Sequence, residues 1–250
     1  MAKQIGPVAV RGTRDGVNYY FREGEPLARM AGGGFNREGI LKGRNMERVR
    51  ESYTEFAGCS KVNRAFKTAL KPFLSGYRDG TLHRRLMQLF LKIKDADFHS
   101  ERGKRSVHHG ISSAEGKALL KDFVFTPQRA ALFPCAYLFD KDTLTFRVQG
   151  FNGHQAVFPP AASGVQVTVG VVRLDFESFA CQQVISDPVV IGRESPDDSF
   201  EIALGELPEG SGVLIAVARV SFDEFVDGER RVMTGEDGLG IEVIEVWEED

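Results

Sequence analysis

The residues able to do chemistry are few, and their spacing does not match the common sites. His108 and His109 sit in a basic stretch, Ser100–Gly110, with Arg102, Lys104 and Arg105. Adjacent side chains on regular structure point different ways, and no HxxxH spacing accompanies them, so they read as a solvated loop rather than a metal site. Ala31-Gly32-Gly33-Gly34 permits close backbone approach to a phosphate, but the chain there lacks GxxxxGK[ST] and no buried strand leads into it. A joint between segments is the simpler reading. Glu194, Asp197 and Asp198 concentrate carboxylates that could serve calcium, yet the EF-hand spacing is missing and a charged rim accounts for them. Ser, His and Asp occur without a GxSxG elbow or an HExxH helix, and no carboxylate pair suited to glycosidic cleavage stands out. Cys59, Cys135 and Cys181 are far apart and odd in number, so reduced thiols are expected, with a Cys135–Cys181 bridge between facing strands as the alternative. No reaction, metal or cofactor is indicated, and a non-enzymatic role is the expectation.

Charge is the stronger signal. The chain has 250 residues and a formal net charge of −3. Residues 1–130 carry 25 Lys and Arg against 13 Asp and Glu, whereas residues 131–250 carry 7 against 22. The basic stretch would attract phosphate in a salt-sensitive way, but no helix-turn-helix, RNP motif or zinc finger is present to read nucleic acid. The acidic stretch is the nearer counter-charge, within one chain or between chains. Opposite charge at opposite ends favours head-to-tail contacts, which close into rings or run on as filaments. The interface residues expected on the basic side are Arg22, Arg29, Arg37, Arg44, Arg102 and Arg105, since guanidinium forks pair well with carboxylates. Asp197, Asp198, Glu248 and Glu249 are their expected acidic counterparts.

Elements must hold these groups, and 42% hydrophobic residues allow a packed core. Residues 5–30 read as a three-strand meander, with Asp15-Gly16 its best hairpin signal. Its few apolar residues cannot form a core, so it must lie on something else. Residues 45–75 have helical periodicity through Met46, Val49, Tyr53, Phe56, Val62, Phe66, Leu70 and Phe73, with a break expected near Gly58. Leu82, Leu86, Leu89, Phe90 and Ile93 form one stripe of a helix over 81–97, and Ser112-x-x-Glu115 has capping-box spacing. From about Phe123 the period becomes that of strands: 132–139, 143–149, 165–176, 181–192, 200–204, 213–222, 229–233 and 241–247, with turn-rich separators. The expected fold class is α+β, with an N-terminal β-meander (1–44), a basic helical segment (45–122) and an acidic antiparallel β-sandwich (123–250).

The N-terminus, MAKQIGPVAVRG, lacks a basic region followed by an apolar core, so cytoplasmic synthesis without a signal peptide is expected, with release as part of an assembly as a further option. The longest apolar runs, such as Val213–Ala218, are far short of a membrane span.

Several motifs resemble one family. They are Gly6, Gly12, Tyr19-Tyr20-Phe21, Gly24, Leu27-Ala28-Arg29 and Gly32-Gly33, then Arg50-Glu51, Glu55-Phe56 and Ser100-Glu101-Arg102-Gly103-x-Arg105-x-Val107. Val213-Leu214-Ile215 through Phe222 to Asp227-Gly228 resembles the family's penultimate strand pair. The family is a group of uncharacterised proteins common in Bacteroidota, which open on a glycine-punctuated hairpin followed by a helical segment. His108-His109 departs from its pattern. The resemblance implies no catalytic residue and fits a structural, phage-like role. The reading that joins these features is a self-assembling subunit of a filament, tube or phage-like particle, with the chain itself as partner. The alternative is a binding module, for nucleic acid on the basic half or for carbohydrate or a protein ligand on the sandwich.

Overall fold

The computed structural model describes residues 2–6, 8–32, 37–128, 136–152, 158–194, 198–233 and 238–249. The chain divides into two units, Met1–Thr54 and Glu55–Asp250. The first begins with four short strands, β1 (Ala2–Lys3), β2 (Gly12–Arg14), β3 (Val17–Arg22) and β4 (Glu25–Met30), in the antiparallel order β1-β4-β3-β2. Its hairpins turn on two residues each. Asp15 and Gly16 have φ of 48° and 74°, and Glu23 and Gly24 have 53° and 83°. Paired left-handed residues make the turn whose twist matches that of the strands. Helix α1 (Arg37–Lys42) and the start of α2 (Glu47–Ala69) complete the unit. Arg50 ties them together, donating from Nη1 to the carbonyls of Ile40 and Gly43 at 2.8 Å each. None of the described residues in this unit is buried.

The second unit holds the rest of α2, then α3 (Lys71–Leu74), α4 (Leu82–Asp95), α5 (Val107–Ile111) and α6 (Ala114–Lys121). The strands follow: β5 (Tyr137–Asp140), β6 (Thr145–Phe151), β7 (Gly164–Leu174), β8 (Cys181–Ile185), β9 (Val189–Gly192), β10 (Asp198–Ala203), β11 (Val213–Val226), β12 (Glu229–Val232) and β13 (Leu239–Trp247). A small sheet runs β10-β6-β5. The larger sheet is built on the antiparallel pair β7–β11, in register from Val213↔Leu174 to Asp223↔Gly164. Strands β13 and β12 lie in line along the far edge of β11, and β8 and β9 in line along the far edge of β7.

Both faces of the β7–β11 pair are apolar. Val213, Ile215 and Val217 join Val172 and Leu174 in a core with the helical residues Phe66, Leu86, Phe90, Ile93 and Leu120. Leu214, Ala216, Ala218 and Val220 join Val165, Val167, Val169 and Val171 in a second core with Phe146, Val148, Phe151 and Ile202 of the small sheet. Alternation along each strand feeds the two cores in turn. Strand β13 switches sides at a bulge. Val217 opposes Val243 and Ala216 opposes Glu245, leaving Ile244 unopposed; Ile244 enters the second core while Val243 and Val246 stay in the first.

The α+β class read from the sequence is the class of this fold. Several details differ. The N-terminal sheet has four strands rather than three, with Val8–Arg11 outside any strand, and His108 and His109 stand on α5 rather than in a loop. The period change near residue 123 is not a boundary between units, because the helical stripes bury themselves on the larger sheet. Helices therefore cover one face of that sheet, so its strands do not form a free-standing two-sheet body. Helix α2 runs unbroken through Gly58, and Tyr53 and Phe56 on its first half are exposed. The run 181–192 is two strands, parted at Ser186-Asp187-Pro188, where Pro188 lacks the N–H a ladder needs. The cap of α6 is Ser113, which accepts from the Gly116 N–H at 3.0 Å.

Close helix contact sets a sharp requirement at Gly110. A Cβ there would lie 1.9 Å from the Ile93 carbonyl oxygen of α4, whereas a Cβ at Gly58 meets nothing within 4 Å. Gly110→Ala is expected to lower unfolding free energy by about 3 kcal/mol. Gly58→Ala, in an open helical position, is expected to raise it by up to about 1 kcal/mol. Urea denaturation of the two variants checks both signs.

Candidate functional site

Four of the expected interface arginines belong to the first unit and two to the second. Arg22 is exposed and lies 3.7 Å from its neighbour Glu23. The Arg29 guanidinium sits 5.5 Å from the centre of the Tyr20 ring. Arg37 and Arg44 are exposed on α1 and the turn after it. Arg102 is exposed in the loop between α4 and α5, and Arg105 there is half-buried, 3.9 Å from Asp95. Asp197 lies outside the described residues, as does Cys135 of the alternative Cys135–Cys181 bridge, and of Asp198 only the backbone in β10 is described.

Glu248 and Glu249 have partners inside the chain. Glu248 accepts from Lys117 Nζ at 2.8 Å and from Ser112 Oγ at 3.0 Å. Lys121 reaches Glu245 at 2.8 Å. Helix α6 is thus fastened to β13 and the residues just after it by basic-to-acidic pairs. Glu249 pairs with Arg173 at 2.5 Å, a partner from the acidic half rather than the basic one. Part of the charge split is therefore consumed within one molecule. Counted by compact unit, residues 1–54 carry 10 basic and 6 acidic side chains, and residues 55–250 carry 22 and 29.

The histidines belong to a polar cluster around the loop between α4 and α5. Glu55 is buried and accepts from Lys94 Nζ at 2.8 Å and from the Gly103 N–H at 2.7 Å. Burial pushes the Glu55 carboxyl up, but the Lys94 ammonium and the Gly103 N–H outweigh it and hold the pKa below the usual value. Asp97 accepts N–H bonds from His99, Ser100 and Ser106 at 3.0–3.1 Å, and His109 Nδ1 lies 3.4 Å away. Beside the cluster is a cavity of about 310 Å³ lined by Cys59, Arg105, His108, His109, Phe176 and Glu177. Burial raises the Cys59 thiol to about 11, so it stays protonated at neutral pH and is not an activated nucleophile. Glu55 and Asp97 spend their oxygens on ordering the loop. Sequence gave no sign of this cluster, because Glu55 meets Lys94 and Gly103 across 39 and 48 residues.

The second feature is the open edge of β8. Ser186 N–H bonds to the Val169 carbonyl and Asp175 N–H to the Ala180 carbonyl. With the register Leu174↔Cys181 to Gly170↔Ile185, antiparallel alternation turns the N–H and C=O of Cys181, Gln183 and Ile185 away from β7. Among the described residues no strand pairs with that side. A groove lies on each face of the edge. One, about 600 Å³, runs along α2 and includes Lys61, Arg64, Ala65, Phe179, Cys181 and Gln183. The other, about 580 Å³, includes Gln182, Val184, Glu206, Pro208 and Glu209. Edge strands are usually guarded by Lys, Pro or charge. Cys181-Gln182-Gln183-Val184-Ile185 has none of these, and that absence is the signal legible in the sequence.

Among the described residues, no cluster of three or more His, Cys, Asp and Glu is placed to hold a metal ion. Among the described residues no helix is long and apolar enough to cross a membrane. Comparison with family models, curated proteins and solved structures finds no match to this chain.

Asp97 gives a pH test. Burial opposes its charge, but the N–H donors of Ser106, Ser100 and His99, with the Ser100 hydroxyl, lower its pKa to about 2. A depressed carboxylate stabilises the fold above its unfolded pKa, and that contribution is lost as pH falls through the folded value. Unfolding free energy should therefore drop by about 2 kcal/mol from this group between pH 4 and pH 2. Asp97→Asn is expected to remove that part of the acid dependence, read by denaturation at stepped pH.

Proposed function

We propose that the protein is a structural, self-assembling subunit whose first unit joins a neighbouring copy head-to-tail. The observation that carries this is the absence of a core in the first unit. None of its described residues is buried, and Ile5, Val8 and Met30 are 97%, 76% and 74% exposed. A short-stranded sheet that buries nothing gains little stability by itself. Its apolar side chains gain by burial against another surface, at roughly 25 cal/mol per Å².

Charge supports the same polarity. Residues 1–54 have a basic excess and residues 55–250 an acidic one, so a contact between unlike units is favoured over a contact between like ones. The exposed Arg22, Arg37 and Arg44 stand on the basic unit. A heterologous contact of this kind propagates, because each copy presents both surfaces. Nucleic-acid binding by the basic half has less support, since Lys117 and Lys121 already face Glu248 and Glu245.

Light scattering after size exclusion, with negative-stain imaging, tests the proposal. Assemblies larger than a monomer are expected at low salt, shrinking as salt screens the charges. A protein that stays monomeric at high concentration and every salt level overturns it.

A further inference from the structure

The open β8 edge and the loose segment before β2 have matching chemistry. Residues Val8–Arg11 lie between β1 and β2, outside any strand, and are exposed. Gln4 clasps this segment with one amide: its Oε1 accepts from the Val10 N–H at 3.0 Å, and its Nε2 donates to the Val10 carbonyl at 3.2 Å. No other backbone hydrogen bond joins Val8–Arg11 to a described residue. A side-chain amide occupies the two groups that a strand partner would otherwise bond.

We infer that the Val8–Arg11 segment of one copy adds as a strand to the open β8 edge of the next. This rests on the assembly reading and names the surface through which it works. Strand addition draws affinity from main-chain hydrogen bonds and selectivity from pockets that take alternate side chains. Here the outward N–H and C=O groups of Cys181, Gln183 and Ile185 supply the bonds. An added strand sends Val8 and Val10 to one face and Ala9 and Arg11 to the other. The groove along α2 offers Phe179, Ala65 and the aliphatic stems of Lys61 and Arg64 to the two valines. The opposite groove offers Glu206 and Glu209, both exposed and without an ion pair among the described residues, to Arg11. Arg173 in that groove is already held by Glu249 and the Pro208 carbonyl. Among the described residues Arg11 leaves a contact with the Phe21 ring, 5.9 Å away. With the opposite assignment, Arg11 would lie against Lys61 and Arg64.

Walls on both sides of the edge also select the kind of occupant. A cleft between α2 and the 206–211 loop receives a single extended segment more readily than a whole second sheet docked edge to edge. Each copy then has one donor segment and one acceptor edge, the arrangement that propagates.

Cysteine cross-linking tests the inference directly, since Cys181 stands opposite Leu174, whose side chain lies in the helix-side core, and so shares the α2 face, and its thiol is free. Donor chains carry Val8→Cys, Ala9→Cys, Val10→Cys or Arg11→Cys, each with Cys181→Ser and Cys135→Ser. Acceptor chains carry only Cys135→Ser. Donor and acceptor are mixed and oxidised mildly, and linked dimers are counted on a non-reducing gel. A disulfide needs Cα atoms within about 7 Å and Cβ atoms that face each other, so whichever of positions 8 and 10 stands opposite Cys181 should link several-fold faster than 9 and 11. Equal rates at all four positions, the opposite parity, or no link while assemblies persist would each overturn strand addition and leave the assembly reading standing. A chain carrying Val8→Cys with its own Cys181 should link between molecules. Concentration-independent closure within one molecule would overturn the second copy as occupant. A protein monomeric throughout removes both readings.

Discussion

The second unit depends on a single antiparallel pair, β7 with β11, that is apolar on both faces. Eleven consecutive residue pairs, Val213↔Leu174 to Asp223↔Gly164, hold it together. A sheet with one wet face would need cover on one side only. This one needs two, and the two covers differ in kind. Helices α2, α4, α5 and α6 take one face, and the β10-β6-β5 sheet takes the other. Gly110 and the Ile244 bulge follow from that constraint. Gly110 lets α5 approach α4 closely within the helical layer, and the bulge lets β13 serve both cores.

Charge works on this framework at two levels. Inside the second unit it fastens layers: Lys117 and Lys121 hold α6 to β13 and its C-terminal extension, and Glu55 with Lys94 and Asp97 orders the loop that leads into α5. The buried Glu55–Lys94 pair adds little net stability against an apolar replacement, but removing one partner is costly. Between units the balance is simpler, with basic excess on residues 1–54 and acidic excess on 55–250. None of the first unit's described side chains is buried, and the second has an unguarded strand edge. An intermolecular contact would satisfy both, which is why the proposed assembly draws on these two features.

Much of the architecture was legible from local pattern. The stripe Leu82, Leu86, Leu89, Phe90, Ile93 is buried in α4 as its spacing requires. Asp15-Gly16 and Asp227-Gly228 turn hairpins with both residues left-handed, and the strands after residue 136 fall close to their expected positions. The misplacements have separate causes. Tyr53 and Phe56 continue a helical period but stay exposed, because periodicity reports which residues share a face and not whether anything covers it. Of the expected interface arginines, Arg22, Arg29, Arg37 and Arg44 belong to the first unit, and Arg102 and Arg105 to the second.

The sequence by itself determined the element types, the hairpin turns and the uneven distribution of charge, since these are set by residues within a few positions of each other. Tertiary structure decided which charges are spent internally, which glycines are obligatory and which strand edge is left open. Those outcomes depend on partners that are remote in sequence, as Lys117 and Glu248 are separated by 131 residues. Short-range propensity contains no information about such pairs; packing both faces of one sheet does.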